Sequence, residues 1–217
     1  MTGDLARLPL PHKTAESRLI VVARARRAED YTTVLAALID EGIRSVELTL
    51  TTPGTIEHLP RLLERFGSEA DIGIGTVTNT DQLMRAVDAG ARYLVTPITL
   101  PTLLTGALTA GVPLVPGGFT PTELFASWSA GASAVKVFPA GRLGAGYIKD
   151  LRGPFPDIEV VPSGGVDLES APQWLAAGAA AVSVGGPLLG DAFQGGDLDA
   201  LRERARAFVA LARGGVR

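Results

Sequence analysis

Eight short apolar segments, helical segments between them, and a glycine at most of the helix-to-strand passages predict an α/β fold, the (β/α)8 TIM barrel. The glycine repeat reads Glu41-Gly42-Ile43, Ala89-Gly90-Ala91, Ala110-Gly111-Val112, Ala130-Gly131-Ala132 and Ala177-Gly178-Ala179. Its two long gaps are each about twice its short ones, and Phe66-Gly67 and Gly153-Pro154 fall where the missing units belong.

Each repeat has the form of a helix ended by a left-handed glycine and turned directly into a strand. The expected strands are Leu19–Arg24, Ser45–Leu50, Asp71–Thr76, Tyr93–Thr96, Pro113–Pro116, Ala134–Phe138, Ile158–Ser163 and Ala181–Gly185. Helical patterns between them include Tyr31–Glu41, Thr55–Phe66, Thr80–Ala89, Thr120–Ala130 and Ser170–Ala177. Two of these open with cap chemistry: Asn79 or Thr80 ahead of Asp81-Gln82, and Thr120-Pro121-Thr122-Glu123, with Pro at N1 and Glu at N3. Short apolar runs alternating with helices mark parallel strands buried on both faces. The alternative is an open doubly wound sheet, but no GxGxxG follows the first strand and the units number eight. A head helix within Pro11–Arg18 is expected to close the barrel bottom, and Asp197–Ala212 forms an extra amphipathic helix. No linker interrupts the chain, so 1–217 is read as a single domain.

Composition narrows the function. The chain has 217 residues, 46% hydrophobic and 20% charged, which is enough for one sizeable core. A net charge of −3 offers no basic footprint for nucleic acid. No apolar run is long enough to span a bilayer. Met1 to Leu10 lacks the basic start and apolar core of a signal peptide. The absence of cysteine removes disulfides, thiolate metal sites and a cysteine nucleophile, and fits a cytoplasmic location. The two histidines, His12 and His58, have no metal-ligand spacing, so no metal site is expected.

In a barrel of this kind the strand C-termini carry the active site. Here they are polar. The first strand ends in Arg24; the second places Glu47 and Thr49 on one face; the third runs into Gly75-Thr76; the fourth ends in Thr96-Pro97. The sixth carries Ala134, Lys136 and Phe138 on one face. Lys136 is one of only three lysines, with Lys13 and Lys149, and it sits mid-strand among apolar residues. Lys149 reads as a solvated helix residue. A buried Lys136–Glu47 pair serving structure alone would be costly and weakly stabilising. Burial disfavours the charged form of an amine, and a neutral amine attacks a ketone to form a Schiff base. A carboxylate nearby can then move the protons. These two side chains suffice without metal or cofactor.

The seventh and eighth strands end in Ser163-Gly164-Gly165 and Gly185-Gly186. Two glycine loops at these strand ends point to a phosphate held on backbone amides, and Pro187 fits the start of a short helix there. Arg24 and Gly75-Thr76 are candidates to bind a carboxylate beside the lysine. Pro116-Gly117-Gly118-Phe119 shapes the rim, without an assigned role.

Val46-Glu47-Leu48-Thr49-Leu50, Gly73-Ile74-Gly75-Thr76-Val77, Val95-Thr96-Pro97, Pro116-Gly117, Lys136-Val137-Phe138-Pro139-Ala140 and Pro162-Ser163-Gly164-Gly165-Val166 together resemble the class I 2-keto-3-deoxy-6-phosphogluconate aldolase family. That family includes 4-hydroxy-2-oxoglutarate aldolase and 6-phosphogalactonate relatives. The resemblance runs from about Leu19 to Leu189, and Lys-x-Phe-Pro combined with the second-strand glutamate is its specific part. It implies Lys136 as the Schiff-base lysine, Glu47 as general acid and base working through a water, and Thr76 on the pyruvate carboxylate. Thr49, Gly75, Pro97 and Phe138 complete the expected substrate contacts. Ser163, Gly164, Gly165, Gly185 and Gly186 are the expected phosphate contacts. The implied reaction is reversible cleavage of 2-keto-3-deoxy-6-phosphogluconate to pyruvate and glyceraldehyde 3-phosphate, cofactor-free, in a homotrimer. Two positions depart from the family pattern. Thr51 replaces an arginine that many members aim at the carboxylate, a role moved here to Arg24, and Gly141 replaces a glutamate. The galactonate epimer, 4-hydroxy-2-oxoglutarate cleavage and oxaloacetate decarboxylation are the alternatives, and a non-catalytic phosphate-binding barrel is the alternative of another class.

Overall fold

The computed structural model describes residues 7–214, so the expected domain and the segment Met1 to Leu10 extend beyond the described residues. Its strands are β1 (Leu19–Ala23), β2 (Ser45–Thr49), β3 (Asp71–Gly75), β4 (Leu94–Val95), β5 (Leu114–Val115), β6 (Gly117–Gly118), β7 (Val135–Val137), β8 (Val160–Pro162) and β9 (Val182–Val184). All pair in parallel, in the orders β5-β4-β3-β2-β1-β9 and β6-β7-β8. β5 and β6 are two halves of the fifth barrel strand, which was expected as one run over Pro113–Pro116. They part at Pro116, which has no N–H for the ladder. β5 pairs with β4, β6 pairs with β7, and a Ser163–Ser183 bridge joins β8 to β9. The ring is thereby closed, and the expected (β/α)8 barrel is the observed fold.

The expected strand ends Arg24, Leu50, Thr76, Thr96, Phe138, Ser163 and Gly185 all lie one residue past the ladders. At the mouth the chain leaves the sheet to turn. The clearest case is Thr76, a non-glycine residue at φ 62°.

The helices are α1 (His12–Ser17), α2 (Tyr31–Asp40), α3 (Thr55–Phe66), α4 (Thr80–Asp88), α5 (Pro101–Thr109), α6 (Pro121–Ser129), α7 (Gly146–Arg152), α8 (Ser170–Ala176), α9 (Gly186–Leu189) and α10 (Leu198–Gly214). The five repeat glycines have φ of 93° (Gly42), 92° (Gly90), 70° (Gly111), 103° (Gly131) and 96° (Gly178). A side chain would disfavour this conformation by about 1–2 kcal/mol at each. Gly67 differs: at φ −65° it continues the helical turn after α3. Asn79 accepts the Gln82 N–H at the start of α4, and Thr120 and Glu123 form a full capping box on α6.

Side chains divide by strand alternation into two cores. Outward residues such as Val21, Val46, Leu48, Ile72, Ile74, Val135 and Val137 pack beneath the helices. Inward residues Ile20, Tyr93, Val95, Val115, Ala134, Val161 and Ala181 fill the barrel itself. Below this plug lies the head helix. The Thr14 N–H donates to Asp71 Oδ2 at 2.8 Å, its hydroxyl donates to Ser45 Oγ at 2.8 Å, and Ser45 Oγ meets Tyr93 Oη at 3.0 Å. α1 thus closes the barrel bottom, as expected from Pro11–Arg18, and satisfies the buried polar groups there. Among the described residues no helix is long and apolar enough to cross a membrane, and no cluster of metal-ligating side chains occurs.

Burial pushes the Tyr93 phenol well above its ordinary range; the Ser45 hydrogen bond pulls it down, while the charges of Glu47 and Asp71 push it further up. A folded-state pKa above the unfolded value gives stability that is complete below the unfolded value, about 10, and lost as pH rises past it. The melting temperature should therefore fall as pH climbs above about 10, and Tyr93→Phe should make that decline shallower in a pH series of thermal melts.

Candidate active site

Lys136 is the central residue of β7. Its neighbours Val135 and Val137 face outward into the helix-side core, so alternation turns Lys136 into the barrel. Glu47 is turned inward from β2 in the same way, between Val46 and Leu48. β2 and β7 lie on opposite walls of the ring. Lys136 Nζ reaches across to within 3.7 Å of Glu47 Oε1, with side chains 9% and 2% exposed. This is an ion pair rather than a close hydrogen bond. Taking both groups out of water costs several kcal/mol per ion, which the pair recovers only with good geometry, so it makes a poor fold stabiliser.

Around this pair stand other expected site residues. Lys136 Nζ lies 5.4 Å from the centroid of the Phe138 ring. That ring packs over Gly164, where an added Cβ would meet Phe138 Cε2 at 3.0 Å. Gly75 lies directly against the Glu47 side chain. Thr49, buried on β2, is in register with Gly75 and shares a 3.1 Å hydroxyl contact with Thr51. Thr76 follows Gly75 in its left-handed conformation, which costs about 1–3 kcal/mol for a side-chain-bearing residue and tends to occur at functional sites. Pro97 backs onto Gly117, the residue in register with Lys136.

The glycine loops occupy the same end of the barrel. Gly164 and Gly165 are consecutive left-handed residues, at φ 80° and 82°. The Ala140 N–H donates to Ser163 O at 2.7 Å and the Gly141 N–H to Gly164 O at 2.8 Å, which stitches the segment after β7 to this turn. Gly141 Cα would lie 3.1 Å from a Cβ on Gly165, so the two backbones meet without side chains between them. Ser163 Oγ donates to Ser183 Oγ at 3.2 Å.

Arg24 is brought to Gly185 and Gly186. The three line one cleft of about 290 Å³ with Val22, Phe193 and Gln194. A larger cleft, about 790 Å³, lies at the opposite end of the barrel beside His12, Lys13, Arg44 and Arg213. It contains none of the expected site residues.

The family model described as KDPG and KHG aldolase matches residues 11–203, nearly the whole chain. The chain belongs to the KDPG and KHG aldolase family. The 2-dehydro-3-deoxy-6-phosphogalactonate aldolase of Escherichia coli (strain K12) is 33% identical over 192 residues, 88% of this chain and 92% of the relative. The 2-dehydro-3-deoxy-phosphogluconate aldolase of Dickeya dadantii (strain 3937) is 34% identical over 195 residues, 88% and 91% of the two chains. A crystal structure of KDPG aldolase from Legionella pneumophila, with pyruvate captured at low pH as a covalent carbinolamine, superposes with a TM-score of 0.81. It is 30% identical and covers 90% of this chain and 95% of its own.

Within this KDPG and KHG aldolase chain, sequence reasoning left Gly117 without a role. Its register with Lys136 and its close approach to the Thr96–Pro97 backbone show why a side chain is excluded there. The double glycine of Pro116-Gly117-Gly118 was the available signal.

Proposed function

We propose that the chain is a cofactor-free class I aldolase that cleaves a phosphorylated 2-keto-3-deoxy sugar acid to pyruvate and glyceraldehyde 3-phosphate. The observation that carries this reading is the buried Lys136–Glu47 pair, 3.7 Å apart across the barrel mouth. In this reading Lys136 Nζ adds to the C2 ketone, and the carbinolamine loses water to give an iminium. The C3–C4 bond then breaks as the C4 hydroxyl gives up its proton. Its electron pair moves into the iminium, leaving an enamine on Lys136, and C4 departs as the aldehyde. Protonation at C3 and addition of water release pyruvate and return the free amine. Glu47, working through a water, is the carrier of these protons.

Thr76, with the Gly75 amide and Thr49, takes the carboxylate end of the substrate, and Pro97 and Phe138 border the reacting carbons. Ser163, Gly164, Gly165, Gly185 and Gly186 take the phosphate. Arg24 was expected at the carboxylate; its shared cleft with Gly185 and Gly186 supports a role at the phosphate instead. C4 becomes a planar aldehyde carbon, so gluconate and galactonate epimers yield the same two products. The Escherichia coli and Dickeya relatives, 33% and 34% identical, carry the two epimer names, which supports the galactonate substrate as a second reading. The chain is further proposed to act in the cytoplasm as a homotrimer. Exposed Ile98, Leu100, Phe119 and Phe125, gathered on the segments from β4 to α6, support a face covered by other copies.

Borohydride reduction with pyruvate present, followed by mass spectrometry, should find a pyruvyl adduct on Lys136; an unmodified Lys136 contradicts the reading. Glu47→Gln should lower kcat by about 100-fold or more with little change in KM, because a proton carrier acts in the transition state. An unchanged kcat removes Glu47 from the chemistry. Arg24→Ala should raise KM for the phosphorylated substrate by roughly tenfold, the scale of one lost charge-assisted hydrogen bond. It should leave the unphosphorylated ketoacid unaffected, whereas an equal penalty on both substrates returns Arg24 to the carboxylate.

A further inference from the structure

β3 carries two inward glycines, Gly73 and Gly75, separated by the outward Ile74. Neither has a positive φ. The backbone therefore accepts any residue at these positions, and glycine inside a strand lowers stability through its chain entropy and missing side chain. What glycine supplies here is space. A Cβ built on Gly73 would stand 2.6 Å from Cε2 and Cζ of the Tyr93 ring. A Cβ built on Gly75 would overlap Oε1, Cδ and Cγ of Glu47.

The two vacated volumes hold different things. Tyr93 is fully buried, stiff and hydrogen-bonded to Ser45. It belongs to the plug of the barrel and forms its floor. Glu47 is a flexible arm. Its Cα is in register with Gly73, yet its side chain lies against Gly75, two residues nearer the mouth. The arm therefore leans forward along β3 before its carboxylate meets Lys136 at 3.7 Å.

We infer that Gly75 is a positioning residue for the reaction: its missing Cβ is the bed on which the Glu47 arm lies, and this sets the carboxylate at the height of Lys136. The inference rests on the aldolase reading for its kinetic consequence, but its geometric content stands apart from that reading. It also separates the two glycines. A methyl at Gly73 strikes a rigid ring and is felt in stability. A methyl at Gly75 strikes a side chain that can swing away, so the fold survives and the carboxylate leaves the lysine.

The test is a double-variant cycle of Gly75→Ala and Glu47→Ala, read by kinetics, melting and crystallography. Gly75→Ala should lower kcat by about 100-fold, as loss of a general acid and base does, with KM little changed and a melting temperature within about 4 °C of the parent. Its crystal structure should show the Lys136–Glu47 gap wider than the parent's 3.7 Å. In the Glu47→Ala background the same methyl should cost nothing further, because the arm it displaces is gone. An unchanged kcat, an unchanged gap, or fully additive losses each overturn the proposal. If Gly75→Ala does not fold, the Gly75→Ala/Glu47→Ala protein should fold and melt like Glu47→Ala alone; failure of the double variant as well overturns the proposal. Failure of the parent protein to trap pyruvate on Lys136 would instead count against the aldolase reading, with the crystallographic outcome still deciding the role of Gly75.

Discussion

A lysine and a glutamate from opposite walls of one barrel meet 3.7 Å apart out of water, and much of the surrounding structure is what that contact requires. Neither group could be held there by its own strand. The span from β2 to β7 is set by ring closure, which depends on the split fifth strand at Pro116 and on the Ser163–Ser183 bridge. An open sheet with the same strands in chain order would leave the two charges four strands apart, beyond each other's reach. Closure converts two ordinary polar residues into a coupled pair, at a desolvation cost of several kcal/mol per ion that a structural role would not justify.

The interior is arranged in levels beneath and around that pair. At the bottom, Thr14 of α1, Ser45, Asp71 and the Tyr93 hydroxyl form a hydrogen-bonded set between the helix and the plug. Above it, Tyr93 and small or branched residues fill the lumen with apolar atoms. The charged pair stands above these levels, with Phe138 and the Gly164 turn at its rim. The apolar plug also separates the Lys136–Glu47 pair from the larger cleft at the barrel bottom, beside Lys13 and Arg44. The larger cleft lies away from the end where the expected site residues converge.

Several elements were legible before any coordinates. The five repeat glycines announced left-handed helix ends because a side chain is disfavoured there, and all five are left-handed. Asn79 and Thr120-x-x-Glu123 announced helix starts through local hydrogen bonds that need no tertiary partner. Lys136 stood out because an apolar strand with a lysine at its centre violates the ordinary burial pattern. Gly67 and Gly153 stand at helix ends where the spacing placed the missing units, but both continue the helical turn, at φ −65° and −53°, a difference from the five repeat glycines that composition does not show. The fifth strand was misjudged because sequence shows a proline but not which neighbour each half of the strand will pair with.

The sequence by itself determined the order and number of the βα units, the polar character of the strand ends, and the two residue types able to form and service a Schiff base. These follow from periodicity, local capping and chemistry, all of which act over a few neighbouring residues. Only the tertiary structure decided distances: that Nζ and Oε1 face each other, that Arg24 falls beside Gly185 and Gly186, and that Gly73 and Gly75 serve as vacated space rather than as turns. The reason is physical. Such relations depend on where closure of the ring sets atoms far apart in the chain, and no local preference encodes them.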